Sequence, residues 1–186
     1  MSTTQIPASE LSPLPKRARG PRHVVVMGVS GGGKTTLAMM LAGKLGYVFA
    51  EGDEFHSQAN RDKMHAGTPL DDDDRAPWLQ SIQDWMTAEA RAGRSTVVTC
   101  SALKRRYRDV LRGAEGSTVF VHMAPPVDLT AERLATRKGH YMPASLLDSQ
   151  VATLEELQDD EAGFKVTSGG TPPEVLAEVL GQLKDH

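Results

Sequence analysis

The stretch from residue 24 to residue 36, VVVMGVSGGGKTT, limits the fold more than any other part of this chain. Val24 to Met27 read as a buried strand, and Thr36-Leu37-Ala38-Met39-Met40-Leu41 as helix. Between them, Gly28 to Thr35 fit the phosphate-loop pattern G-x-x-x-x-G-K-[ST]. Such a loop wraps a phosphate chain only if its N–H groups point inward, which needs a backbone that a Cβ would obstruct. The helix behind it adds unpaired N–H groups and the positive end of its dipole. Gly28, Ser30, Gly31, Gly32, Gly33, Lys34, Thr35 and Thr36 are therefore the expected nucleotide-binding residues. Lys34 neutralises β/γ oxygens, and Thr35 offers its hydroxyl to Mg²⁺.

Apolar runs and helical stretches alternate along the rest of the chain. Runs at 47–50, 95–100, 118–123 and 164–167 join the first as strands. Five such strands separated by helices imply an α/β fold with a parallel sheet covered on both faces. Helices are expected over about 34–45, 57–65, 77–92, 104–111, 127–137, 144–157 and 173–183. In the 77–92 helix, Leu79, Ile82, Met86 and Ala90 form one stripe; in the last helix, Leu176, Leu180 and Leu183 do. Leu147, Val151 and Leu154 align in the 144–157 segment. The 186 residues fit one domain, 22–186, after a disordered tail, 1–21, with four prolines and a basic cluster.

Composition narrows the function. Lys and Arg total 21 against 24 Asp and Glu, which speaks against a dedicated nucleic-acid surface. No apolar run approaches the ~18 residues of a membrane span. The single cysteine, Cys100, excludes an internal disulfide and points to a reducing, cytoplasmic setting. Within a buried strand it reads as a small hydrophobe.

A phosphate loop specifies the donor but leaves the acceptor open. Asp53 follows the second strand, so its carboxylate reaches the sheet's carboxyl edge and can take a proton from an acceptor hydroxyl. Glu51 points to the same side and is a candidate Mg²⁺ ligand through water; a solvated loop acid or a helix cap is the alternative for both. No acid follows the strand ending at Thr99-Cys100-Ser101, and no N-K-x-D segment is present, which favours a small-molecule kinase over a GTPase-type switch. His56, Arg61, Lys63, Lys104, Arg105 and Arg108 cluster near the edge loops, where an anionic acceptor needs one or two of them. Arg133 and Arg137 share a helix face next to Lys138 and His140. A mobile segment there, 133–145, would bring an arginine over the transferring phosphoryl group. The acids Asp71 to Asp74 oppose an anion pocket and are expected to face solvent, cap the following helix or pair with Arg75 and neighbouring bases.

These residues also carry a family resemblance. MGVSGGGKTT, EGDEFH, NRDKMHAGTPLDDDDRAPWL, CSALKRRYRDVLR and RLATRKGHYM together resemble the P-loop gluconokinases over roughly residues 23 to 184. The resemblance implies ATP·Mg²⁺-dependent phosphorylation of D-gluconate at its 6-hydroxyl, in a homodimer. It also implies a three-layer fold akin to shikimate and nucleoside monophosphate kinases, with strand order 2-3-1-4-5 and a mobile lid. On that basis Asp53, Lys34 and Arg137 are the expected catalytic residues, and Arg133 joins the nucleotide site. Asp53, His56, Arg61, Lys104, Arg108 and His140 are the expected acceptor-side residues, and Thr35 and Glu51 the metal ligands. The more frequent family spelling before Asp53 is DGD, whereas this chain has Glu51. Rival readings are a kinase for shikimate, adenylyl sulfate or a nucleotide, or a nucleotide-responsive regulator without a small substrate.

Overall fold

The structure is a computed structural model that describes residues 20–136 and 144–186. Residues 1–19 of the expected tail and 137–143 of the expected lid lie outside the described residues. Arg137, Lys138 and His140 lie there too.

Five strands form one parallel sheet: β1 (Arg22–Met27), β2 (Val48–Glu51), β3 (Thr96–Cys100), β4 (Ser117–Met123) and β5 (Gly163–Val166). Their order is β2-β3-β1-β4-β5, as the resemblance implied. The alternation of side chains along β1 builds both cores. Val24 and Val26 face α1 (Lys34–Leu45) and α7 (Pro172–Leu183), whereas Val25 and Met27 face α3 (Asp72–Arg91) and α4 (Arg105–Arg112). A strand apolar on both faces has to lie mid-sheet between two helical layers. The remaining helices are α2 (Gln58–His65), α5 (Val127–Thr136) and α6 (Ala144–Thr153).

Two boundaries and two buried faces differ from the sequence expectation. Pro77 suggested a first-turn proline, yet α3 begins five residues earlier at Asp72, with Pro77 inside it. Asp71 and Asp74 form a capping box there, and the acids of the first turn suit the positive end of the helix dipole. Asp74 also pairs with Lys63, and Asp72 with Lys104 and Arg106. α6 stops at Thr153 instead of Leu157, because the Glu155 N–H donates to the Leu103 carbonyl at 2.7 Å. Val151, expected to face inward, is exposed. In α7 the buried face is Val175, Val179 and Leu183, with Leu176 and Leu180 at its margin.

Candidate active site

The loop between β1 and α1 is organised for an anion. Gly33 precedes α1 at φ 85°, in the left-handed region, and no side chain caps the helix start. A glycine at this position has no side chain of its own to occupy the first amides of α1, which suits a phosphate site. The Lys34 ammonium donates to the carbonyls of Gly28 at 2.7 Å and Val29 at 3.3 Å, so it lies folded along the loop. A cavity of about 530 Å³ opens beside it, lined by Gly31, Gly32, Gly33, Thr36, Arg133 and Ser168 among others. A Cβ on Gly33 would stand 3.3 Å from Arg133 Nη1, which puts that guanidinium over the loop. Gly28, Ser30 and Thr35 belong to the same loop and α1 start, outside the cavity wall.

Hard oxygen donors meet where the loop enters α1. The Thr35 hydroxyl donates to Glu51 Oε2 at 2.9 Å, and the Thr99 hydroxyl donates to the other oxygen, Oε1. Glu51 thus spans the ends of β2, β3 and the phosphate loop. The acid that the sequence lacks after β3 comes instead from β2, and Thr99 holds it there. Thr99 Oγ1 also accepts from the Gly52 N–H at 3.1 Å. Gly52 lies so close to β3 that a Cβ would sit 1.9 Å from the Thr99 carbonyl oxygen. A hydroxyl and a carboxylate at the phosphate end fit Mg²⁺, which takes one or two protein oxygens and fills its octahedron with phosphate and water. Among the described residues, no set of three or more His, Cys, Asp or Glu side chains forms a metal cage.

Asp53 sits in a 3₁₀ turn, Gly52–Phe55, that the sequence did not suggest. Its side chain is 74% exposed, while that of His56, 4.0 Å away, is buried. The His56 ring stacks on Trp78 with centroids 4.1 Å apart, and Trp78 Nε1 donates to the Gly52 carbonyl at 2.7 Å. Burial lowers the His56 pKa to about 4; nearby Asp53 opposes this, and Arg75 and Arg61 add to it. Arg61 is exposed, with Nη2 donating to the Glu54 carbonyl and Nε to that of His56.

The third side of this cleft comes from α3 and α4. A cavity of about 190 Å³ is lined by Asp72, Arg75, Lys104, Tyr107, Ser149 and Gln150 among others. Lys104 lies on its wall, 3.1 Å from Asp72. Arg75 is half-buried, its guanidinium 5.5 Å from the Tyr107 ring centre and 6.0 Å from that of Trp78. Sequence reasoning passed over it as a partner for the acidic run. Its signal was the arginine placed one turn before a tryptophan, which only the fold turns toward the cleft. Gln150 was also missed: its Oε1 accepts the Ser30 N–H at 2.8 Å, so α6 touches the phosphate loop.

Arg108 is corrected by the structure. It was expected to face the acceptor, but its side chain is fully buried. Its Nε and Nη2 donate to the two oxygens of buried Glu161 at 2.7 and 3.0 Å. Nη1 and Nη2 also reach the carbonyls of Ala102, Leu103, Glu155 and Glu156. Ala102 has φ 33°, a value rare for a residue with a Cβ, and this arginine ties its carbonyl down. Arg108 staples the chain after β3 to the chain after α6. Cys100 is buried at the end of β3, and desolvation pushes its thiol up to about 12, which leaves it inert at neutral pH.

Comparison with known proteins agrees with this geometry. The AAA domain family matches residues 24–157. A gluconokinase from Gluconobacter oxydans is 52% identical over 160 residues, covering 86% of this chain and 90% of that protein. The crystal structure of a sugar kinase from Janibacter sp. is 51% identical, with a TM-score of 0.84 over 88% of this chain and 95% of that one. A gluconokinase structure from Sinorhizobium meliloti shares 41% identity and a TM-score of 0.76 over 90% and 94%. With its phosphate loop, sheet order and near full-length similarity to these proteins, the chain belongs to the gluconokinase family.

Proposed function

We propose that this chain transfers the γ-phosphoryl group of ATP to the 6-hydroxyl of D-gluconate, giving 6-phospho-D-gluconate. One observation carries the reading most directly: Glu51 at the end of β2 is held by the phosphate-loop hydroxyl of Thr35 and by Thr99 of β3, and Asp53 stands exposed two residues further on. A candidate proton acceptor thus follows the strand that is tied to the phosphate loop, at the sheet's carboxyl edge, where open α/β sheets bind ligands.

ATP places its phosphates along Gly28 to Thr36, beneath Arg133. Asp53, exposed to the cleft, orients the acceptor alcohol and takes its proton as the oxygen attacks phosphorus. Lys34 leaves its loop carbonyls for the phosphoryl oxygens, and Arg137 assists it from the segment after α5. Thr35 and Glu51 would hold Mg²⁺, which when bound neutralises charge on the β- and γ-phosphates. Arg75 and Lys104 take the sugar-acid carboxylate, with His56, Arg61 and His140 around the acceptor. Arg108 has no part in this scheme, since Glu161 and four carbonyls occupy its donors.

The cytoplasmic setting rests on the single buried thiol, alongside described helices that are all too short or too polar to cross a membrane. The homodimer rests on the family resemblance alone, and light scattering after size exclusion tests it. A coupled ATP-consumption assay with D-gluconate, shikimate and adenylyl sulfate tests the activity. Turnover with gluconate alone is the expected result; turnover with shikimate and not gluconate overturns the substrate.

A further inference from the structure

We propose that Asn60 is a positioning residue that locks His56 in its Nε2–H form, so that His56 presents a hydrogen-bond donor to the acceptor beside Asp53. The inference rests on the acceptor-site reading above. Asn60 is buried. Asn60 Nδ2 lies 2.9 Å from the backbone carbonyl oxygen of Asp74. A carbonyl only accepts, so this contact identifies the amide nitrogen and excludes the flipped amide. The same nitrogen lies 3.3 Å from His56 Nδ1. Since Asn60 Nδ2 is a donor, Nδ1 must accept, and the proton of the neutral ring then resides on Nε2.

The rest of the surroundings hold this arrangement. Trp78 stacks flat on the imidazole, with the two planes 17° apart. The Ser57 hydroxyl accepts the Asn60 backbone N–H at 3.2 Å, which anchors the first turn of α2. With Nδ1 engaged, the remaining ring nitrogen, Nε2, is 4.0 Å from Asp53 Oδ1. That gap is too wide for a direct hydrogen bond. It fits one ligand hydroxyl oxygen about 2.8 Å from each group, accepting from Nε2–H and donating to the carboxylate. A ring in the other form would meet that hydroxyl with a lone pair, leaving donor and acceptor roles mismatched. Asn60 acts only through His56, because its amide nitrogen is taken up by His56 Nδ1 and the Asp74 carbonyl.

Ring ¹⁵N–¹H correlation spectra of the ligand-free protein at neutral pH test the lock without reference to activity. The His56 signals are identified by their absence in His56→Gln. The expected result is a neutral ring protonated on Nε2; a ring protonated on Nδ1 overturns the proposal. Asn60→Asp offers Nδ1 only acceptors and should move the proton to Nδ1 or charge the ring. Asn60→Ala should give a mixture of both forms. In each variant kcat/KM for gluconate should fall about tenfold, the worth of one neutral hydrogen bond, while KM for ATP stays within about twofold. Unchanged ring signals and unchanged kcat/KM in Asn60→Ala also overturn it. Wild-type spectra with Nε2–H but no gluconate turnover would instead sink the proposed substrate and leave the lock standing.

Discussion

The two halves of the cleft are built from different materials. The phosphate cradle of the donor half is one continuous segment, β1, the glycine loop and α1, and what it offers a phosphate is largely backbone N–H groups. The acceptor half draws on the 3₁₀ turn, α2, α3, α4 and α6, and it works with side chains fixed by tertiary contacts. A backbone cradle depends on local conformation, so a short motif specifies it. A side-chain cradle depends on what packs behind it, and Arg108, Trp78 and Asn60 do that work out of reach of the substrate.

Breaking the staple behind the acceptor half should have the largest effect. Arg108→Met leaves the buried Glu161 carboxylate with only the Gln158 N–H and Arg105 at 3.9 Å, a loss of about 3 kcal/mol in denaturant unfolding. Adding Glu161→Met should recover most of it, and failure to recover would show that the carbonyl contacts of Arg108 matter more than its ion pair. The functional groups should behave the opposite way. Lys34→Met and Asp53→Asn are expected to lower kcat by about 10² to 10³ with an unchanged melting temperature, since both act on developing charge in the cleft. Full turnover in Asp53→Asn would move the proton acceptor elsewhere.

Next to the donor loop, packed near Gly28, His122 on β4 is a weakness that only the tertiary structure creates. Burial lowers its pKa to about 4, against the pull of Glu156. A histidine kept neutral in the fold binds fewer protons than the unfolded chain between pH 6.5 and about 4. Its contribution is therefore complete above pH 6.5 and drains away as pH falls toward 4. The loss is on the order of 3 kcal/mol, and His122→Gln should flatten that limb of the stability curve. The smallest effect is expected at Arg75. Arg75→Met should raise KM for gluconate about tenfold or more through lost charge-assisted hydrogen bonds, while KM for ATP holds steady. Equal changes in both constants would mean that Arg75 serves the whole cleft.

Much of this was legible in the residues. The hydrophobic runs specified five strands because a strand buried on both faces must be apolar throughout, and GVSGGGKT specified the loop because few backbones can surround phosphate. Asp53 was legible as the polar residue just past a strand end. Arg108 misled, since a basic residue on an amphipathic helix looks the same in sequence whether it faces solvent or a buried carboxylate. Glu161, its partner, is 53 residues away, and no periodic pattern connects them. The Pro77 boundary misled because the Asp71–Asp74 capping box outweighed the usual preference of proline for the first turn.

By itself, then, the sequence determined the alternation of strands and helices, the phosphate loop and the family, all of which rest on neighbours within a few residues. Tertiary structure alone decided that Glu51 is shared by Thr35 and Thr99, that Arg75 turns inward while Arg108 is consumed by the fold, and that Asn60 sets the proton on His56. Hydrogen-bond direction and burial are properties of the assembled surroundings, and they form only once distant segments have been brought within about 3 Å of each other.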